Sequence, residues 1–210
     1  PIGRWVIDEA CRTLARLAPA IGIPDLRMNI NVSPVQLNDP LLVPAVERAI
    51  AEHGISPGAL ILELTETAVP DPDVAARMLT ALRAVGVRLA IDDFGSGYSS
   101  LGHLGRMPVD ILKLDRTFIQ SLNADDRSEA LAAGIIALSR SLGLQVVAEG
   151  IERQEQLEVL RRLSCELGQG NWLAPAMREE ELVAEMTEGH GPSEVRRFVL
   201  GAVSAFAPLR

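Results

Sequence analysis

The polar residues that end the apolar runs of this chain are types that bind hard cations. Asn31 closes Met28–Val32, and Glu63 stands near the end of Leu60–Leu64. Asp92 and Asp93 follow Val87–Ile91, Lys113 and Asp115 end Ile111–Leu114, and Glu149 follows Leu144–Ala148. Carboxylates brought close together repel one another and resist burial unless cations sit among them. Oxygen donors without histidine or cysteine select Mg2+ or Mn2+, with Ca2+ less apt for catalysis. The adjacent pair Asp92-Asp93 suggests two ions, since neighbouring residues can turn to different ions where a strand breaks into a loop. Two such ions can activate a water and stabilise the leaving oxygen of an in-line displacement at phosphorus. Lys113 is either a counter-ion for a neighbouring carboxylate or a group that orients the water or stabilises charge on phosphate.

That chemistry requires elements that bring the strand ends to one place. The runs above, with Cys165–Gly168 as a weaker sixth, are short, apolar and largely β-branched or leucine-rich, which predicts strands. Helical patterns separate them at Gly3–Leu17, Leu41–His53, Asp73–Val85, Ser128–Leu142 and Gln154–Leu163. Gly54, Gly86 and Gly143 read as C-terminal caps. Near-continuous apolar strands alternating with helices predict a parallel sheet covered by helices. An open doubly wound sheet and a closed (β/α) barrel both satisfy this pattern, and both bind ligands at the carboxyl ends of the strands. Side chains two apart share a face of a strand, so Asn29 with Asn31, Ile61 with Glu63, and Lys113 with Asp115 point the same way. Glu66, three residues past Glu63, faces away and reads as structural. Asp39, Asp71 and Asp73 read as helix caps.

Composition narrows the class. The 210 residues are 48% hydrophobic and carry a net charge of −8, which suits one sizeable core. No basic face argues for general nucleic-acid binding, so DNA is not an expected partner. Cys11 and Cys165 lack metal-site spacing and fit a reducing cytosol. No run of about 20 apolar residues is present to span a membrane. The domain is expected over 1–188, with 189–210 a linker at Gly189-His190-Gly191-Pro192 and an amphipathic helix over Glu194–Phe206.

An ordered set of motifs adds to this reading. It includes Gly3-Arg4-Trp5-Val6, Asn31-Val32-Ser33 with Gln36, and Glu63-Leu64-Thr65-Glu66. Asp92-Asp93-Phe94-Gly95-Ser96-Gly97-Tyr98-Ser99-Ser100-Leu101 follows, then Pro108-Val109-Asp110 and Lys113-Leu114-Asp115. Ala148-Glu149-Gly150-Ile151-Glu152 and Gln169-Gly170 complete it. In this order the chain resembles the EAL-domain family, the cyclic di-GMP-specific phosphodiesterases of bacteria. The resemblance implies a TIM-barrel variant that hydrolyses cyclic di-GMP to the linear dinucleotide with two Mg2+ or Mn2+ ions, Ca2+ being an inhibitory occupant. It places metal ligands at Asn31, Glu63, Asp92, Asp93 and Glu149, and catalytic roles at Lys113 and Glu149. Gln36, Asp115, Glu152 and Gln169 match positions near the substrate, and Glu66 matches a glutamate that steadies the loop after the aspartate pair. The loop Phe94–Leu101 matches a dimer contact, and an upstream sensory or diguanylate cyclase domain is expected. Two departures stand out. The Glu-Ala-Leu motif is absent, and six candidate strands fall short of the eight of a closed barrel, so an N-terminally truncated barrel is expected. Gln169-Gly170-Asn171-Trp172 replaces the usual glycine-tyrosine continuation. Two other readings compete with the phosphodiesterase: a catalytically impaired cyclic di-GMP receptor or interaction module, and a metal-dependent barrel acting on a carboxylate substrate.

Overall fold

The computed structural model describes residues 2–65, 72–95, 104–122, 126–188, 199–201 and 205–208. The chain begins with helix α1 (Ile2–Ala20), then β1 (Met28–Asn31), the short α2 (Pro34–Leu37) and α3 (Leu42–His53). Next come β2 (Leu60–Thr65), α4 (Pro72–Val85), β3 (Arg88–Phe94) and β4 (Ile111–Leu114). After these come α5 (Arg116–Ser121), α6 (Asp126–Ser141), β5 (Gln145–Ala148), α7 (Gln154–Arg162), β6 (Leu167–Gly168) and α8 (Glu179–Glu188). Strands β7 (Val199–Gly201) and β8 (Ala205–Pro208) come last.

Strands β1 to β6 pair in parallel and in sequence order, as the alternating pattern predicts. Their outward faces carry the main core. Leu62, Leu89, Leu112 and Val146 pack there against Leu14, Val46, Leu79 and Ile136 of the surrounding helices. Burial on this scale supplies the main driving force for folding. Inside the barrel a smaller cluster forms, of Ile61, Ala90, Ile111 and Val147, with Leu167 packed against it.

The last two strands correct two expectations. The segments 199–201 and 205–208 are strands, where a helix is expected over Glu194–Phe206. Strand β7 pairs in parallel with β1, β8 pairs antiparallel with both β7 and β6, and the sheet closes as a ring of β1-β2-β3-β4-β5-β6-β8-β7. The barrel among the described residues is therefore closed, with two local strands completing the count. The physical reason is the edge. Without them β1 and β6 would each present a row of unpaired N–H and C=O groups. Those long-range hydrogen bonds outweigh the weak helical pattern of a segment that contains Gly201.

Candidate cation site at the carboxyl ends of the strands

The inner apolar cluster fixes where the site lies. Two residues beyond each of its members, on the same inward face, stand Glu63, Asp92, Lys113, Glu149 and Gln169. The register agrees, because Glu63 aligns with Ala90, and Lys113 with Val147. The strand-end polar residues thus form a ring at one mouth of the barrel, above an apolar plug.

Lys113 is at its centre. Its side chain is 2% exposed, and Nζ lies 2.9 Å from Glu63 Oε2, 2.8 Å from Asp92 Oδ1 and 2.7 Å from Glu149 Oε1. Burial alone would lower its pKa, but the charges of Glu149, Glu63 and Asp92 overcome this and hold the ammonium above the usual lysine range. Lys113 is therefore a fixed cation and not a proton acceptor at neutral pH. Burial raises the Glu149 carboxyl to about 8; Lys113 opposes that shift, while Asp92 and Glu63 add to it. Glu63 is raised by burial, opposed by Lys113 and reinforced by Asp92. Asp93 is raised first by burial and then by the charges of Asp92 and Asp115. One ammonium does not neutralise this many acids, so the surplus is stored as raised pKa values.

A bulge explains how two adjacent aspartates serve one site. Ile91 is registered with Leu112 and Phe94 with Leu114, so Asp92 and Asp93 together oppose Lys113 alone. Asp93 takes φ 53°, a left-handed conformation that aspartate tolerates better than most residues. Ligand oxygens of Asp92, Asp93 and Glu149 lie within 4.8 Å of one another.

Glycines hold the rim tight. Gly150, at φ 72°, has no room for a side chain, because a Cβ would sit 2.6 Å from Arg116 Cβ. A Cβ on Gly170 would lie 2.2 Å from the backbone N and O of Ile151. These contacts fix the turns that follow Glu149 and Gln169.

The other expected residues are distributed as follows. Asn31 is registered with Glu63 and is exposed at the mouth. Gln169 donates from Nε2 to Glu149 Oε1, while its own Oε1 is buried without a partner among the described residues. Asp115 is buried and caps α5, accepting from the backbone N–H of Thr117 at 2.8 Å. Gln36 forms a reciprocal cap with Ser33 at the start of α2, and Gly3 of α1 packs against its amide. Glu152 is exposed, and its backbone N–H donates to Gln156 Oε1. Glu66 and positions 96–101 of the expected dimer loop lie outside the described residues. Asn29 was not among the expected site residues, yet it is 3% exposed and donates to Glu63 Oε1 at 2.6 Å. Its shared face with Asn31 was the available signal. Cys11 and Cys165 are buried free thiols, raised by burial to about 11 and about 12. A cavity of about 450 Å³ beside Arg83, Arg88 and Asp110 lies at the opposite mouth and shares no residue with the ring.

The donor set fits hard divalent cations. Among the described residues it offers carboxylate and amide oxygens, and two buried amide oxygens, of Asn29 and Gln169, have no partner there beside the ring glutamates.

Comparison with known proteins agrees with this architecture. The EAL domain model matches residues 1–176, so the chain belongs to the EAL-domain family. It is 45% identical over 186 residues to the bifunctional diguanylate cyclase/cyclic di-GMP phosphodiesterase MucR of Pseudomonas aeruginosa, covering 88% of this chain and 27% of that protein. Among solved structures, the PaMucR phosphodiesterase in complex with c-di-GMP superposes with a TM-score of 0.80 at 43% identity, covering 86% of this chain and 73% of that one. The EAL domain of Mycobacterium smegmatis DcpA gives a TM-score of 0.84 at 38% identity, covering 91% and 86%. The chain spans about a quarter of the length of the curated relatives it matches. No helix among the described residues is long and apolar enough to cross a membrane.

Proposed function

We propose that this domain hydrolyses cyclic di-GMP to the linear dinucleotide, with two Mg2+ or Mn2+ ions held by Asn31, Glu63, Asp92, Asp93 and Glu149. The observation that carries the reading is the acidic ring around buried Lys113 at the carboxyl-end mouth of an EAL-family barrel. When bound, the ions supply a nucleophile at neutral pH and charge stabilisation at phosphorus.

The protein's own groups do the rest. Lys113 stays protonated and keeps Glu63, Asp92 and Glu149 converged, and its fixed charge favours the negative charge that builds on phosphate. Glu149 is held by Gln169 on one side and Lys113 on the other. Burial raises its carboxyl to about 8 while the site is free of cations, so a bound cation has to displace a proton there. Asp115 fixes the start of α5 directly after β4, which steadies the strand end that carries Lys113. Gln36, Glu152 and Gln169 form the substrate side of the proposal, and Glu66 its loop support. Every ligand position within the region this sequence covers is filled, the Glu-Ala-Leu glutamate lying outside it, which favours catalysis over a receptor role. Ca2+ would occupy the same oxygens and inhibit. The full protein is proposed to work in the cytoplasm as a homodimer, with a sensory or cyclase domain upstream.

Turnover of cyclic di-GMP by the full-length protein in Mg2+ or Mn2+, followed by chromatography of the linear product, tests the reading. Asp92→Asn is expected to reduce turnover about 1,000-fold, since it removes a charged donor at the reacting centre. An active Asp92→Asn protein, or a wild type that binds cyclic di-GMP without cleaving it, would overturn the proposal.

A further inference from the structure

Asn29 lies one inward position below the ring, on the same face of β1 as Asn31. Its registered neighbour is Ile61, and the layer around it is apolar. An amide is expensive to desolvate there unless its polar atoms are used. Nδ2 is used, donating to Glu63 Oε1 at 2.6 Å, while Lys113 Nζ approaches Oε2 at 2.9 Å. Glu63 is thus gripped from two directions, by a neutral donor from below and a cation from the side. Oδ1 of Asn29 is buried with no partner among the described residues. Gln169 repeats the arrangement on another wall, with its N–H on Glu149 and its carbonyl oxygen unpaired.

We propose that Asn29 is a positioning residue of the cation site: its amide N–H fixes the Glu63 carboxylate toward the ring, and its Oδ1 accepts a hydrogen bond from the hydration shell of a divalent cation there. The inference rests on the cation reading above. Supporting partners of this kind orient a ligand and raise its basicity, and their loss typically weakens binding about 10–100-fold. A core amide retained only for packing would make no such difference.

The test uses Mg2+ alone, with no substrate. Asn29→Leu keeps the branched four-atom shape, with bulkier methyl ends, and removes the donor. By calorimetry its Mg2+ dissociation constant is expected to rise about 10–100-fold, and Asn29→Ser, which keeps a short donor, to fall between it and the wild type. An unchanged constant in Asn29→Leu, with only a lower melting temperature, overturns the proposal. Should Asn29→Leu fail to fold, the wild type decides by 15N NMR. The Asn29 side-chain amide signal is expected to shift along the same Mg2+ titration curve as the backbone amides of Asp92 and Asp93. A signal that stays put while those amides move overturns the role of Asn29 alone. No shift at any of them overturns the cation reading and this inference together.

Discussion

Replacing Lys113 by methionine separates the electrostatic ring from the shape of the pocket. Methionine keeps the unbranched stem and a similar volume, so packing changes little. It removes the ammonium that touches Glu63, Asp92 and Glu149, all within 2.9 Å. Breaking a buried ion pair from one side costs about 3–5 kcal/mol, and about 2–4 °C is lost per kcal/mol in a domain of this size. The cation-free variant should therefore melt about 6–20 °C below the wild type at pH 8. Glu149 limits the loss. Its carboxyl already sits at about 8, so it takes up a proton when Lys113 is gone, and the gap should narrow at pH 6. Mn2+ should close the gap further, because a cation at 100 times its dissociation constant stabilises by about 2.7 kcal/mol. The variant, freed of an ammonium at the centre, should gain more than the wild type. Differential scanning calorimetry in EDTA and in excess Mn2+, at pH 6 and pH 8, makes the comparison. A variant as stable as the wild type in EDTA would refute the claim that Lys113 holds the ring. A gap that Mn2+ leaves untouched would refute the claim that cations and Lys113 act on the same oxygens.

Other outcomes follow from the same geometry. Between pH 5 and pH 8 the folded protein retains a proton on Glu149 that the unfolded chain has released, so cation-free stability should fall as pH rises through that window. Cation binding displaces that proton, so Mg2+ affinity measured by calorimetry should rise about tenfold per pH unit up to about pH 8; a flat profile would count against it. Asp115→Ala removes the cap of α5 and should cost about 0.5–2 kcal/mol in urea unfolding. Deleting residues 199–210 leaves β1 and β6 with open edges, so the shortened chain should elute from a sizing column as dimers or larger species; a well-behaved monomer would show that the closing strands are dispensable.

The strand-end acids were readable in the sequence because two periodicities coincide there. Apolar runs predict buried parallel strands, and the two-residue repeat sends Glu63, Asp92, Lys113 and Glu149 to one face. The same repeat pointed at Asn29, but an asparagine inside an apolar run carries no mark of its partner until Glu63 is placed beside it. At Asp92-Asp93 the residue types were visible, whereas the bulge that turns both to one side depends on the register with β4 and not on local sequence. Asp115 shows the opposite case, where local chemistry was overlooked: an aspartate two residues before a threonine amide is a helix cap, and α5 follows from it. The C-terminal strands lie furthest from sequence reasoning. Local propensity for 199–208 is weak either way, and the deciding hydrogen bonds are offered by β1 and β6, at least 31 residues away in the chain. Contacts so distant in sequence decide secondary structure only after the six parallel strands have formed their curve. The acidic ring depends on that curve and not on the closing pair, since Lys113 meets Glu63 of β2, Asp92 of β3 and Glu149 at the end of β5. The site and the closure are therefore separable: opening the ring of strands should alter association before it alters cation binding.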